Sequence, residues 1–157
     1  MPPISLRRAT IEDAVALADL HQATIGGTYR DVYAPTALED WQSGHTPDRW
    51  RRRLAGESLF VLAEGDGRVL GCGGLTGNRT GVYVHPSAQR RGIARTVFAE
   101  LERLARLRNV PTLELSAPQK AVPFYRSVGF VPIAPKRHDF ANGEGIIVVD
   151  MRKVLSG

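Results

Sequence analysis

Apolar and polar residues alternate in "ISLRRA", Ile4 to Ala9, which predicts a short strand. Thr10 and Asp13 follow with the spacing of a capping box, opening a helix over "IEDAVALADLHQAT". Between Ile25 and Ala55, glycines, prolines and aromatics break any longer period. This stretch predicts one or two short helices joined by turns, an irregular region suited to lining a pocket. The aliphatic runs "SLFVLAE" and "RVLGCGGL" flank Asp66-Gly67 and predict a hairpin, and "TGVYVHP" a further strand stopped at Pro86. Past Gly92, the residues Ile93, Val97, Leu101 and Leu104 fall on one helical face, and Asn109 and Pro111 end that helix. A strand "TLELS", a short helix "VPFYRSV" stopped by Gly129, a strand "FVPIA", the turn Asn142-Gly143 and a last strand "GIIVVDMRKVL" complete the series.

This order predicts an α+β fold: about seven strands in one mixed sheet with about four helices, as a single domain spanning 1–157. Hydrophobic residues at 43% and charged residues at 24% are ordinary for a globular chain. No apolar run approaches the roughly 20 residues of a membrane span, so no membrane partner is expected. "MPPISLRRAT" lacks an export signal, and the single Cys72 leaves no internal disulfide, so a cytoplasmic location is expected.

The net charge of +5 raises the expectation of an anionic partner without naming it. "RWRRR", Arg49 to Arg53, superficially resembles a nucleic-acid patch. It is better read as a solvated helix face beside a buried Trp50, and nucleic acid is the least favoured partner. His21, His45 and His138 lack metal-ligand spacing, so no metal is expected, and Cys72 reads as a small packing residue rather than a nucleophile.

The most informative stretch is "HPSAQRRGIARTVFAEL". A strand stopped at Pro86 and a helix opening near Gly92 leave the amides of Arg90 through Arg95 without intrahelical partners, a site for an anion. Gly92 lets the backbone approach phosphate oxygens, with Arg90, Arg91 and Arg95 alongside. The spacing fits neither a Walker A nor a dinucleotide-binding loop.

Read together, "VYVHPSAQRRGIA" and "AVPFYRSVGF" resemble the GCN5-related N-acetyltransferase (GNAT) family. That family's pattern is a strand, then Q/R-x-x-G-x-G/A opening a helix, and later F/L-Y-x-x-x-G-F. The resemblance implies a sheet splayed between strands 4 and 5, with acetyl-CoA as co-substrate in the gap. It implies that Val82, Tyr83 and Val84 bind the pantetheine through main-chain groups. Gln89, Arg90, Arg91, Gly92, Ile93, Ala94 and Arg95 would cradle the pyrophosphate, and Tyr125 would face the thioester sulfur. Ala94 replaces the family's second glycine, and "SAPQKA" lacks an asparagine that relatives often use to hold the pantetheine.

Such a site must take a proton from an amine that is mostly protonated at neutral pH, with a pKa of ~10.4 if lysine-like. The candidate bases are Glu114, which alternates with Leu113 and Leu115 on the strand beside the gap, and His85. The acceptor implied is a primary amine of a small molecule or a peptide N-terminus, attacking directly in a ternary complex. It would be gripped by Tyr29, Tyr33, Trp41, His138, Asp139 and Phe140. The alternative is a non-catalytic acyl-CoA-binding module. A homodimer is left open.

Overall fold

Strands β1 (Ser5–Arg8), β2 (Leu59–Gly65), β3 (Arg68–Thr76), β4 (Arg79–Val84), β5 (Thr112–Pro118), β6 (Val131–Asp139) and β7 (Gly145–Val154) make one sheet. In this computed structural model, which describes residues 3–155, their spatial order is β1-β2-β3-β4-β5-β7-β6. Every neighbouring pair is antiparallel except β4 and β5, which run parallel. The helices among the described residues are α1 (Ala14–Thr28), α2 (Pro35–Ser43), α3 (Pro47–Ala55), α4 (Ile93–Leu107) and α5 (Val122–Ser127). They number five, against about four expected, because the irregular stretch holds both α2 and α3.

Local chemistry explains most boundaries. The Thr10 N–H donates to the Asp13 carboxylate at 2.7 Å, opening a 3-10 turn that runs into α1. Asp66 and Gly67 both have positive φ, 56° and 73°, as the tight turn between β2 and β3 requires. Pro35 and Pro47 occupy the first turns of α2 and α3, where a missing N–H costs nothing.

The Gly26-Gly27 pair is a departure from expectation, since α1 runs straight through it. A Cβ on Gly26 would lie 2.7 Å from the Gln42 side chain, and one on Gly27 would lie 2.6 Å from Pro86. These glycines serve close packing of α1 on α2 and on the turn after β4 rather than a break in the helix.

The two faces of the sheet carry different cores. Ile93, Val97, Phe98 and Leu101 of α4 pack on Val61, Ala63 and Leu70, where Gly73 leaves room for Val97 and Leu101. On the other face Leu17 and Leu20 of α1 and Trp50 of α3 cover Phe60, Leu62 and Cys72. A third cluster joins Tyr29 and Trp41 to Ile146 and Val148 of β7, tying the irregular region to the far end of the sheet. Cys72 is 1% exposed, and burial pushes its thiol up to about 12, which fits a packing role. No helix among the described residues is long and apolar enough to cross a membrane.

Candidate active site

The sheet is splayed at β4 and β5, the parallel pair among the described strands. β4 and β5 share a single register pair, Arg79 with Glu114, whereas β5 pairs with β7 along its whole length. Past Arg79, β4 therefore presents unpaired main-chain groups to a gap. By the alternation of an antiparallel edge, Val82 and Val84 point their groups into the gap while Tyr83 points its own at β3.

Tyr125 stands in that gap. Pro123 in the first turn starts α5 after the 3-10 turn Gln119–Ala121, and the Tyr125 ring meets Phe124 and Phe130 edge-on at 5.2 and 5.6 Å. Its phenol oxygen accepts the Val82 N–H at 2.9 Å and lies 3.5 Å from the Val82 carbonyl. The second distance is too long for a firm bond, so the phenolic proton is not strongly committed. Burial raises the phenol above the usual tyrosine range, so the group is protonated at any working pH.

A string of cavities follows the gap. One of about 250 Å³ lies at the start of α4, against Gln89, Arg90, Gly92, Ala94 and Arg95. A second of about 270 Å³ lies between Val82–Val84 and Thr28, Lys120 and Tyr125. A third of about 460 Å³ opens on the far side of Tyr125, against Tyr29, Trp41, Ile146 and Val148. Tyr125, Val82 and Tyr83 line both the second and the third, so the phenol sits at their junction.

The opening of α4 is built for an anion. Arg90 and Gly92 both have positive φ, 63° and 76°, turning successive amides toward one side. The first helical bond runs from the Thr96 N–H to the Gly92 carbonyl at 3.0 Å, so the amides of Gly92, Ile93, Ala94 and Arg95 precede the ladder. A Cβ on Gly92 would meet nothing within 4 Å, which leaves the cradle open. Open amides with Arg90 and Arg95 at their rim fit a pyrophosphate.

Several expected residues take other positions. Arg91 turns away from this cradle and pairs with Asp66 at 3.4 Å. Tyr83 contributes its ring to the cavities, since its main-chain groups are used by β3. The Val84 carbonyl already accepts from Thr24 Oγ1 and Gln89 Nε2. Glu114 is bound by Arg152 across to β7 at 3.0 Å and lines none of these cavities, so the structure does not bring it to Tyr125. His85 spends Nδ1 on Ser87 at 2.8 Å and is likewise absent from the cavity walls.

Tyr29, Trp41 and His138 do reach the large cavity, and Asp139 and Phe140 line a neighbouring one of about 360 Å³. Tyr33 instead donates to the Ile147 carbonyl and accepts the Gln119 N–H, both at 3.2 Å, which ties α5's approach to β7. The buried Asp40 accepts the Asn142 and Glu144 N–H groups, and Trp41 stacks on Phe140 at 5.7 Å. Together these hold the tip of the β6–β7 hairpin over α2.

Four residues escaped the sequence reading. Thr28 brings to the second cavity a buried hydroxyl with no hydrogen-bond partner among the described residues, and Lys120 reaches the same wall while bound to the Thr28 carbonyl and Asp31. Arg53 and Arg79 line the large cavity. For Arg53 the signal was present, because it lies three positions after the buried Trp50 and so shares its helical face. Arg51, Arg52 and Arg53 are all exposed, as a solvated face requires, but Arg53 also lies over the Trp50 ring and lines the large cavity.

Behind Tyr83 lies a pair of neutral histidines. His21 donates from Nδ1 to the Leu17 carbonyl at 2.8 Å, and its ring stacks on His45 at 4.8 Å. Trp50 Nε1 donates to His45 Nδ1 at 3.2 Å, so neutral His45 carries its proton on Nε2 and offers no basic nitrogen to the cavity. Burial, then Arg53 and Arg49, push His45 down to about 4, and burial lowers His21 in the same direction. Both take up protons only on unfolding, so their contribution is full above about pH 6.5 and is lost as the pH falls toward 4. The expected slope is up to roughly 1.4 kcal/mol per pH unit for His45 between those limits. Denaturant melts between pH 7.5 and 5 should show it, with a flatter profile for His45→Gln. An unchanged slope in that variant would remove His45 as its source.

The comparisons agree with this geometry. Residues 29–155 match the acetyltransferase (GNAT) domain family. A GCN5-related N-acetyltransferase from Rhodopseudomonas palustris is 28% identical, with a TM-score of 0.90 over 96% of this chain and 95% of that one. PaiA N-acetyltransferase from Thermoplasma acidophilum, solved in complex with coenzyme A, is 19% identical, with a TM-score of 0.78 over 98% and 99%. The ribosomal-protein-S18-alanine N-acetyltransferase from Escherichia coli is 16% identical, with a TM-score of 0.72 over 99% and 96%. At these lower identities the likeness is one of fold. The family match, with the splayed sheet and the cradle at α4, makes this chain a GCN5-related N-acetyltransferase.

Proposed function

We propose that the chain transfers the acetyl group of acetyl-CoA to a primary amine by direct attack in a ternary complex. The observation that carries this reading is Tyr125 at the junction of the two cavities, one continuous with the anion cradle and the other open for an acceptor. Acetyl-CoA supplies a thioester whose carbon bonds to the amine nitrogen as its C–S bond breaks, the sulfur ending with a proton.

The chain's own residues divide the remaining work. The amides of Gly92 to Arg95, with Arg90 and Arg95, hold the pyrophosphate. The Val82 carbonyl, Thr28 Oγ1 and Lys120 would hold the pantetheine arm, since the Val82 N–H is taken by Tyr125. Tyr125 hydrogen-bonds the sulfur as negative charge grows on it.

No aspartate or glutamate lines the large cavity, whereas Arg53 and Arg79 do, and the cation of Lys136 there is paired with Asp150. Nearby positive charge lowers the pKa of a bound ammonium, so the field favours the free amine that attacks and water suffices to carry its proton away. Calorimetry with acetyl-CoA, followed by thiol release across a panel of amines, tests the reading. Micromolar binding and acceptor-dependent release are expected. Binding without release from any amine would leave an acyl-CoA-binding module instead.

A further inference from the structure

The large cavity and a smaller one of about 190 Å³ meet at β4, and Arg53, Arg79, Thr80, Gly81 and Tyr83 line both. Neither wall contains an aspartate or a glutamate. Each nearby acid is already spoken for: Asp150 by Lys136 at 3.3 Å and the Ser116 hydroxyl at 2.6 Å, Glu114 by Arg152. Lys136 is thereby neutralised, Arg79 meets the same Asp150 only through the Ser116 hydroxyl, and no carboxylate is paired with Arg53 among the described residues.

Arg53 has its guanidinium carbon 4.2 Å from the Trp50 ring centroid and 5.1 Å from that of Phe60, two buried rings that fix its plane. Among the described residues it has neither a hydrogen bond nor an ion pair, which leaves the donor edge of the fork unused. Among the described residues the Arg79 side chain makes one hydrogen bond, to Ser116 Oγ at 3.1 Å, and no ion pair. Two solvent-exposed forks converge on a junction whose walls hold no carboxylate, so both can turn donors to an anionic ligand. The rest of the large cavity, at Tyr29, Trp41, Ile146 and Val148, is aromatic and aliphatic.

We propose that Arg53 and Arg79 form a carboxylate-binding subsite, and that the acceptor is a small amino acid with an apolar side chain. This rests on the acetyltransferase reading above and adds the substrate class. The three steps from Arg79 to Val82 span about 10 Å of strand. The Arg79 side chain reaches forward to Ser116 Oγ, two residues beyond its register partner Glu114, so a carboxylate held at the junction leaves the amine toward Tyr125. A polycationic acceptor would be repelled by the same charges.

The test pairs L-phenylalanine with phenethylamine and L-leucine with isoamylamine, together with the two amino-acid amides, a dipeptide and spermidine, reading thiol release. The carboxylate-bearing member is expected to have a kcat/KM about 10–100-fold higher, the range of a charge-assisted hydrogen bond, with the difference mainly in KM. In Arg53→Gln the ratio should collapse toward one, in Arg79→Gln it should shrink, and in Arg52→Gln, on the exposed face, it should persist. Acetyl-CoA affinity by calorimetry verifies that each variant is folded. A second arm needs no turnover: N-acetylphenylalanine should bind the CoA-saturated protein, and N-acetylphenethylamine should not. Equal or better turnover of the decarboxylated amines, or equal binding of the two products, overturns the subsite and leaves the transferase standing. Preference for the dipeptide or for spermidine overturns the amino-acid assignment as well. If neither amine releases thiol while acetyl-CoA binds, transfer to small amines fails, and the product-binding arm still decides the subsite.

Discussion

Tyr125→Phe is expected to lower turnover by about 10²-fold or more while acetyl-CoA affinity stays within a few-fold. A departing thiolate with a pKa near 8.5 cannot take the proton of a phenol near 10 without a cost of roughly 2 kcal/mol. Burial of Tyr125 moves the phenol further from ionising, so that route is still less favourable. What remains is a hydrogen bond that strengthens as charge develops on sulfur, and the geometry suits it. The phenol accepts the Val82 N–H at 2.9 Å, which polarises its own O–H, while the nearest protein acceptor for that proton is 3.5 Å away. The substitution also strips the Val82 N–H of its acceptor, so the ligand-free protein should lose about 1–3 kcal/mol in denaturant melts. Single-turnover rates and calorimetry separate the two effects. Near-wild-type turnover in the variant would mean that Tyr125 only packs between Phe124 and Phe130.

Gly92→Glu should abolish acetyl-CoA binding, with at least a 10²-fold rise in Kd. Two effects combine at this position. A φ of 76° costs any residue with a Cβ about 1–2 kcal/mol, which falls on the loop. The added carboxylate then stands at the cradle, where like charges about 4 Å apart repel by ~4 kcal/mol at an effective dielectric of 20. Gly92→Ala isolates the first effect. Its Cβ meets nothing within 4 Å, so it should lose some stability but bind acetyl-CoA within about tenfold of the original. Titration calorimetry of both variants decides the matter, and retained affinity in Gly92→Glu would place the pyrophosphate elsewhere on the chain.

The sequence by itself determined the elements and the cradle, because both are written in residues close together in the chain. The apolar period after Gly92, the Asp66-Gly67 turn and the residues that stop each strand act through backbone geometry over a few positions. The order of strands and helices, with the paired stretches around Gly92 and Tyr125, was enough to expect the family's splayed sheet.

What the chain order could not contain is which side chains meet across the gap. Gly26 and Gly27 look like a break, yet α1 passes through them, since their lack of a Cβ serves neighbours far away in sequence, Gln42 and Pro86. Glu114 alternates correctly to face away from its buried neighbours, but the register of β5 on β7 delivers it to Arg152. Arg91 sits in the middle of the cradle motif and leaves it for Asp66, on another turn. Arg53 belongs to a run that reads as solvated, and only the packing of Trp50 against Phe60 aims it into the large cavity. Pairing of charges depends on distances between segments that the sheet alone sets, so tertiary structure decided which cations remain for a substrate.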